Sequence, residues 1–181
     1  MPGVRDESPV TYEMPVFIRL MTPFDDGARI EAVIKAAWRS GHGHLFTKEE
    51  IAQVMAAGPQ ENIFTVTWTV PTTGVVFLAF DGTTMIGVAN LRPNPGTRGP
   101  ALVEPMSVLP GRQRQGIGEA LWRYLEAYSR NRGDTELDVY ALDRNPMASA
   151  FYRKMGGRIV GTAELRLGDH IEPANRFLFE L

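Results

Sequence analysis

From Val108 to Gly118 the chain reads Val-Leu-Pro-Gly-Arg-Gln-Arg-Gln-Gly-Ile-Gly, a basic, glycine-rich loop between a run with strand character and a run with strong helical periodicity. A strand that feeds a helix through such a loop is a phosphate-binding device. The first turn of a helix leaves backbone N–H groups unpaired and carries partial positive charge. Gly116 and Gly118 have no Cβ to hold a bulky anion away from the backbone, and Arg112 and Arg114 add fixed positive charge. The junction points to a fold in which strands and helices share one core, with a phosphate compound held where a strand ends.

The flanking sequence agrees with such a fold. Val16–Leu20 reads as a short strand, and Asp25 and Asp26 offer N-cap chemistry to an amphipathic helix, Asp26–Arg39, with Ile30, Val33, Ile34, Ala37 and Trp38 on one face. Thr47-Lys-Glu-Glu50 is a capping box, with Phe46 and Ile51 placed as a hydrophobic staple, and Gly58-Pro59 should end that second helix. Ile63–Val70 alternates as a half-buried strand does. Val75–Phe80 and Met85–Leu91 flank Asp81-Gly82, a hairpin signal, and Ala101–Val108 is the strand that enters the loop. Gly116–Arg132 is then a helix, Thr135–Tyr140 a strand, and Asn145-Pro146 an N-cap and first-turn proline for a last helix that stops at Gly156-Gly157. Arg158–Leu167 and Arg176–Glu180 are final strands. The order specifies a mixed α/β (α+β) sheet with helices on its faces.

A length of 181 residues favours one domain, read as residues 15–181 after a lead-in at 1–14. A net charge of −2 argues against a general nucleic-acid binder. The absence of cysteine removes disulfides, a thiolate catalyst and thiolate metal ligands. No apolar run approaches the roughly 18 residues of a membrane span, and the polar start lacks a signal-peptide pattern, so the expectation is a cytoplasmic protein without membrane contact. Gly41-His-Gly-His44 is too sparse for a metal site and is read as an acceptor loop between the first two helices. No metal is expected.

Gly111-Arg-Gln-Arg-Gln-Gly116 has the glycine spacing of a nucleotide-binding P-loop but continues Ile117-Gly118 where that motif needs Lys-Ser/Thr. A dinucleotide fingerprint fails for want of a third glycine and an early βαβ unit. The pattern that fits is Gln113-Arg-Gln-Gly116-Ile-Gly118, preceded by Val108-x-Pro110, together with Asn145-Pro-Met-Ala-Ser-Ala-Phe-Tyr-Arg-Lys-Met-Gly-Gly157 about 30 residues later. In these two segments, and in element order from about Val16 to Leu181, the chain resembles the GNAT superfamily of acetyl-coenzyme A-dependent N-acetyltransferases. The resemblance implies a mostly antiparallel central sheet with helices on both faces and acetyl-CoA as acyl donor. Ile63–Val70 departs from it as an added strand.

The resemblance also implies site roles. Met106, Ser107 and Val108 would hold the pantetheine arm through main-chain groups, with the Val108 N–H open to the oxyanion formed during acyl transfer. The amides of Gln113, Arg114, Gln115, Gly116, Ile117 and Gly118 would bind the pyrophosphate; the 3′-phosphate contact would come from among Arg112, Arg114, Arg144, Arg153 and Lys154, with Arg114 favoured, or else these are solvated surface charge. Tyr152 would be the general acid for the departing thiolate, or else a packing residue; Asn145 would contact the pantetheine, cap its helix, or both. Glu104, set in an apolar strand and sharing a face with Leu102 and Met106 by alternation, is the candidate base, the plainer reading being a pair with a surface cation. Glu119 is out of place beside a phosphate cradle unless it points away. The expected activity is direct acetyl transfer to a primary amine of a small molecule or peptide; the alternative is a non-catalytic acyl-CoA sensor. A homodimer is common in the superfamily, but no residue here demands one.

Overall fold

The computed structural model of the protein describes residues 16–56, 74–93, 99–167 and 170–181. Its elements run β1 (Phe17–Leu20), α1 (Gly27–His42), α2 (Lys48–Ala56), β2 (Val75–Asp81), β3 (Thr84–Arg92), β4 (Ala101–Val108), a 3-10 turn at Pro110–Arg112, α3 (Ile117–Arg132), β5 (Glu136–Leu142), α4 (Pro146–Lys154), β6 (Arg158–Leu167) and β7 (His170–Glu180). The expected strand at Ile63–Val70, the helix end at Gly58-Pro59 and the 1–14 lead-in lie outside the described residues.

Local chemistry accounts for the starts and stops. Asp26 caps α1 by accepting from the Ala28 N–H at 2.9 Å. Asp25 does something different from the capping expected of it: it binds the Arg19 guanidinium through both oxygens and accepts from the Thr22 N–H and hydroxyl. Arg19 above all, with Thr22, holds its carboxyl well below the usual carboxylate range. The capping box forms as read, with Thr47 N–H donating to Glu50 and Glu50 N–H to the Thr47 hydroxyl. In the hairpin the closing pair is Asp81 and Thr84, so the two-residue loop is Gly82-Thr83, one position later than the Asp-Gly signal suggests.

The strands join in the order β1-β2-β3-β4-β5-β7-β6. All described pairings are antiparallel except β4 with β5. Helices cover both faces. Ile117, Leu121, Trp122 and Leu125 of α3 and Met155 after α4 pack on Phe77, Ala79, Leu91, Val103, Val139 and Phe177. Ile30, Val33, Ile34 and Trp38 of α1, with Val54 of α2, pack on Val76, Leu78, Val88, Leu165 and Leu167. Burial on both faces explains why the β2 and β3 sequences are almost continuously apolar.

Two irregularities in β4 create the site. Between Ala89–Met106 and Leu91–Val103 the register with β3 shifts, so Asn90 alone stands opposite both Glu104 and Pro105. This is a bulge, a position that accepts proline inside a sheet, and Asn90 Nδ2 donates to the Glu104 carbonyl at 2.9 Å. The extra residue resets the alternation. Met106 packs in the same cluster as Val103, so it does not share a face with Glu104 as strict alternation predicts. The second irregularity is that β4 and β5 pair only at Ala101–Leu137 and Leu102–Asp138. Beyond Leu102 the two strands diverge.

Candidate active site

A cavity of about 620 Å³ occupies the gap between the diverging strands and extends to both faces of the sheet. Its walls come from β4 (Leu102–Val108), the loop and first turn of α3, β5, α4, the last turns of α1, and Leu165 and Leu167 of β6. The volume suits a substantial ligand.

The backbone of β4 explains what faces the gap. Leu109 N–H donates to the Ile86 carbonyl at 2.9 Å. The neighbouring pair Gly87–Val108 is therefore one that exchanges no hydrogen bonds across the β3–β4 ladder. Val108, and by the same alternation Met106, turn their N–H and C=O groups away from β3 and toward the gap. Ser107 has the opposite parity, so its main-chain groups are spent on Val88 of β3. Of the three residues expected to contact pantetheine through the backbone, Met106 and Val108 are oriented to do so and Ser107 is not.

The loop is pinned from within. Gln113 Nε2 donates to the Val108 carbonyl at 3.1 Å, Gln115 Nε2 to the Gly111 carbonyl at 3.1 Å, and Arg112 pairs with Asp81 at 2.5 Å. Gln115 thus acts on the loop's own shape, and its side chain is absent from the cavity wall. Ile117 is likewise absent from the wall, with its side chain buried in the core under α3. Arg114 has φ +59° and is the only non-glycine residue with positive φ among those described, and Gly116 follows at φ +82°. A left-handed conformation costs an ordinary side chain about 1–2 kcal/mol. Left-handed residues alternating with ordinary ones form an anion-binding nest. Gly116 is also the N-cap of α3 and offers no side chain to the first-turn N–H groups, which leaves them open. A Cβ at Gly118 would meet Phe151 at 3.5 Å and Val108 Cγ2 at 3.9 Å, so this glycine keeps open the passage between α3, β4 and α4. Glu119 does face the cavity, but Lys154 neutralises it at 2.9 Å.

Tyr152 is both a packing residue and a wall of the cavity. Its ring contacts those of Trp122, Phe151, Phe177 and Phe179. Burial, and then the charge of Glu104, push its phenol above the ordinary range, so it stays protonated. Glu104 bonds Arg92 at 2.5 Å, with its side chain about one-fifth exposed at 21%. Burial raises its pKa, and the Arg92 contact works against that rise. The cation pairing considered for Glu104 therefore exists, inside the site.

Asn145 caps α4 by accepting from the Ala148 N–H at 3.0 Å, and its amide nitrogen lies 3.1 Å from His42 Nε2. Both amide atoms are engaged, leaving one N–H of the Asn145 amide for a ligand. His42 is a site residue with no signal in the sequence: α1 runs past Arg39 to include it, where a loop is expected from Gly41. Its Nδ1 lies 3.2 Å from the Trp38 carbonyl, so Nδ1 carries the proton and Nε2 accepts from Asn145. Burial lowers its pKa to about 4. A pKa depressed on folding removes stability as the pH falls from about 6.5, the unfolded value, toward 4. Unfolding midpoints measured across that window should fall with acid, and His42→Gln should flatten the dependence. An unchanged slope in the variant would mean that His42 titrates normally. Among the described residues no cluster of His, Asp and Glu could hold a metal, and no helix is long and apolar enough to cross a membrane.

Comparison with solved structures returns the same architecture. PaiA N-acetyltransferase from Thermoplasma acidophilum, in complex with coenzyme A, matches at TM-score 0.67 and 16% identity, over 93% of this chain and 100% of that one. A GNAT family acetyltransferase from Elizabethkingia anophelis with acetyl-CoA bound matches at 0.63 and 18%, over 92% and 98%. The ribosomal-protein-S18-alanine N-acetyltransferase from Escherichia coli matches at 0.61 and 18%, over 92% and 94%. Among curated proteins none matches the sequence. Residues 44–157, which include the loop, β4, β5 and α4, match the acetyltransferase (GNAT) family. The family match thus spans the strand-to-helix loop and the diverging strands β4 and β5: this chain belongs to the GNAT family of acetyltransferases, with acetyl-CoA as the fitting cosubstrate.

Proposed function

We propose that the protein transfers the acetyl group of acetyl-CoA to a primary amine by direct attack, with Tyr152 as general acid. The observation that carries this reading is that Tyr152 and Glu104 line the same cavity as Gly116 and Gly118 at the α3 N-terminus. The nest at Arg114–Gly116 and the N–H groups of Ile117 and Gly118 would take the pyrophosphate, while the Arg114 side chain supplies the cation for the 3′-phosphate. The Met106 backbone and the second lone pair of the Val108 carbonyl would pair with the pantetheine amides across the gap, as β5 would have done had it stayed alongside β4.

An unprotonated amine is needed for attack. Glu104 would accept its proton, directly or through water, and burial supplies the raised pKa that this task requires. The Val108 N–H would donate to the acetyl oxygen as negative charge develops there, a contribution of about 2.7–4 kcal/mol for a well-placed donor. Tyr152 would then protonate the leaving sulfur. One C–N bond forms and one C–S bond breaks; the amine loses one proton and the thiol gains one. Burial makes Tyr152 a weaker acid, but it equally destabilises a thiolate in the same cavity, so the two remain matched.

The test is free-thiol release from acetyl-CoA with a broad panel of amines, paired with mass spectrometry of enzyme held with acetyl-CoA alone. Amine-dependent thiol release and an unmodified enzyme mass support the reading. An acetylated enzyme excludes direct attack, and tight CoA binding with no turnover on any amine excludes the transferase. The Glu104 assignment has its own check. Arg92→Met removes the contact that opposes the raised pKa, so the acidic limb of kcat/KM should move to higher pH. A limb that stays in place, or moves down, removes Glu104 as the base.

A further inference from the structure

We infer that the acceptor is a monoamine with an apolar body, such as an arylalkyl or alkyl amine, and not a polyamine or aminoglycoside; this rests on the transferase reading above. The β4–β5 gap divides the cavity. The cradle, α3 and α4 line the side on which the phosphates would sit, so the acceptor would enter from the α1 side, which Leu165 and Leu167 of β6 also face. That side is walled by Ile34, Trp38, Leu102, Leu142, Leu165 and Leu167. Trp38 is fixed there by stacking on His42 and Phe46. The one imidazole in this wall is held neutral by burial.

Charge decides between amine classes. Among the described residues only two carboxylates line the whole cavity, Glu104 and Glu119, and each is already ion-paired, with Arg92 and Lys154. Glu119 belongs to the phosphate side. A polyamine or aminoglycoside would bring at least one further ammonium beyond the reacting nitrogen. That group would be desolvated against leucines and tryptophan, with no unpaired carboxylate among the described lining residues to receive it. A monoamine brings a single nitrogen, which Glu104 can deprotonate, and an apolar body that gains from leaving water. The reaction is R-NH2 with acetyl-CoA giving R-NH-acetyl and CoA thiol, with no further reactant.

Gly41 provides a position with room for a side chain. It lies in the last turn of α1 and lines the cavity, and a Cβ there meets nothing within 4 Å. Steady-state thiol release should be compared for tryptamine, phenylethylamine, hexylamine, spermidine, an aminoglycoside and a short peptide, in the wild type and in Gly41→Glu. We expect kcat/KM for the best apolar monoamine to exceed that for spermidine by about 100-fold. Gly41→Glu should narrow this ratio at least about tenfold while CoA affinity, measured by calorimetry, is unchanged. Preference for spermidine, the aminoglycoside or the peptide overturns the inference and leaves the transferase reading standing. A ratio that Gly41→Glu does not change also overturns it. Turnover of no amine at all, with CoA still bound, defeats both.

Discussion

Replacing Gly118 by glutamate should weaken acetyl-CoA binding by about two to four orders of magnitude, the equivalent of the 3–5 kcal/mol that an uncompensated buried charge costs. The side chain would leave the first turn of α3 toward Phe151 and Val108, at distances of 3.5 and 3.9 Å from its Cβ. It would enter the passage the pantetheine must use and set a carboxylate beside the phosphates. Gly118→Ala separates charge and bulk from the loss of glycine as such. Its single methyl meets Phe151 at an ordinary contact distance, and alanine favours the helix by up to about 1 kcal/mol. That variant should bind the cosubstrate within a few-fold of the wild type. Calorimetric titration of both proteins checks the pair. Full affinity in Gly118→Glu would take the α3 N-terminus out of the binding site.

Tyr152→Phe should lower kcat by about 10²-fold or more, the usual scale of a lost general acid, with the KM for acetyl-CoA nearly unchanged. The aromatic contacts with Trp122, Phe177 and Phe179 survive the substitution, so unfolding temperature should move little. The pH dependence sharpens the test. The phenol is pushed above its ordinary value, so the wild type should keep its acid form, and with it kcat, through pH 10, where a solvent-exposed tyrosine would be half ionised. A variant with unaltered kcat under conditions where chemistry limits the rate would leave Tyr152 with packing alone.

How much of this could be read from residue order varies with the range of the interaction. The helix caps, the hairpin and the loop depend on near neighbours, and Asp26, Thr47, Glu50 and Asn145 perform the cap roles assigned to them. The conformation of Arg114 was hidden because a left-handed arginine has no sequence signal; glycine would have announced it. The parity of β4 was hidden for a related reason. A bulge at Glu104-Pro105 is visible only against its partner Asn90, and without it Met106 falls on the wrong face. Arg92 lies 12 positions from Glu104, and His42 lies 103 positions from Asn145. Such pairings are set by the assembled sheet. Pro105 was the one local hint, since proline inside a strand marks an edge or a bulge.

The brief union of β4 and β5 has a consequence for the molecule as a whole. Only Ala101–Leu102 and Leu137–Asp138 lace the four-stranded half of the sheet to the three-stranded half. A cosubstrate lying in the cleft would act as a missing suture, its amides standing in for rungs the strands never make. Catalytic readiness and mechanical integrity would then come from one and the same ligand.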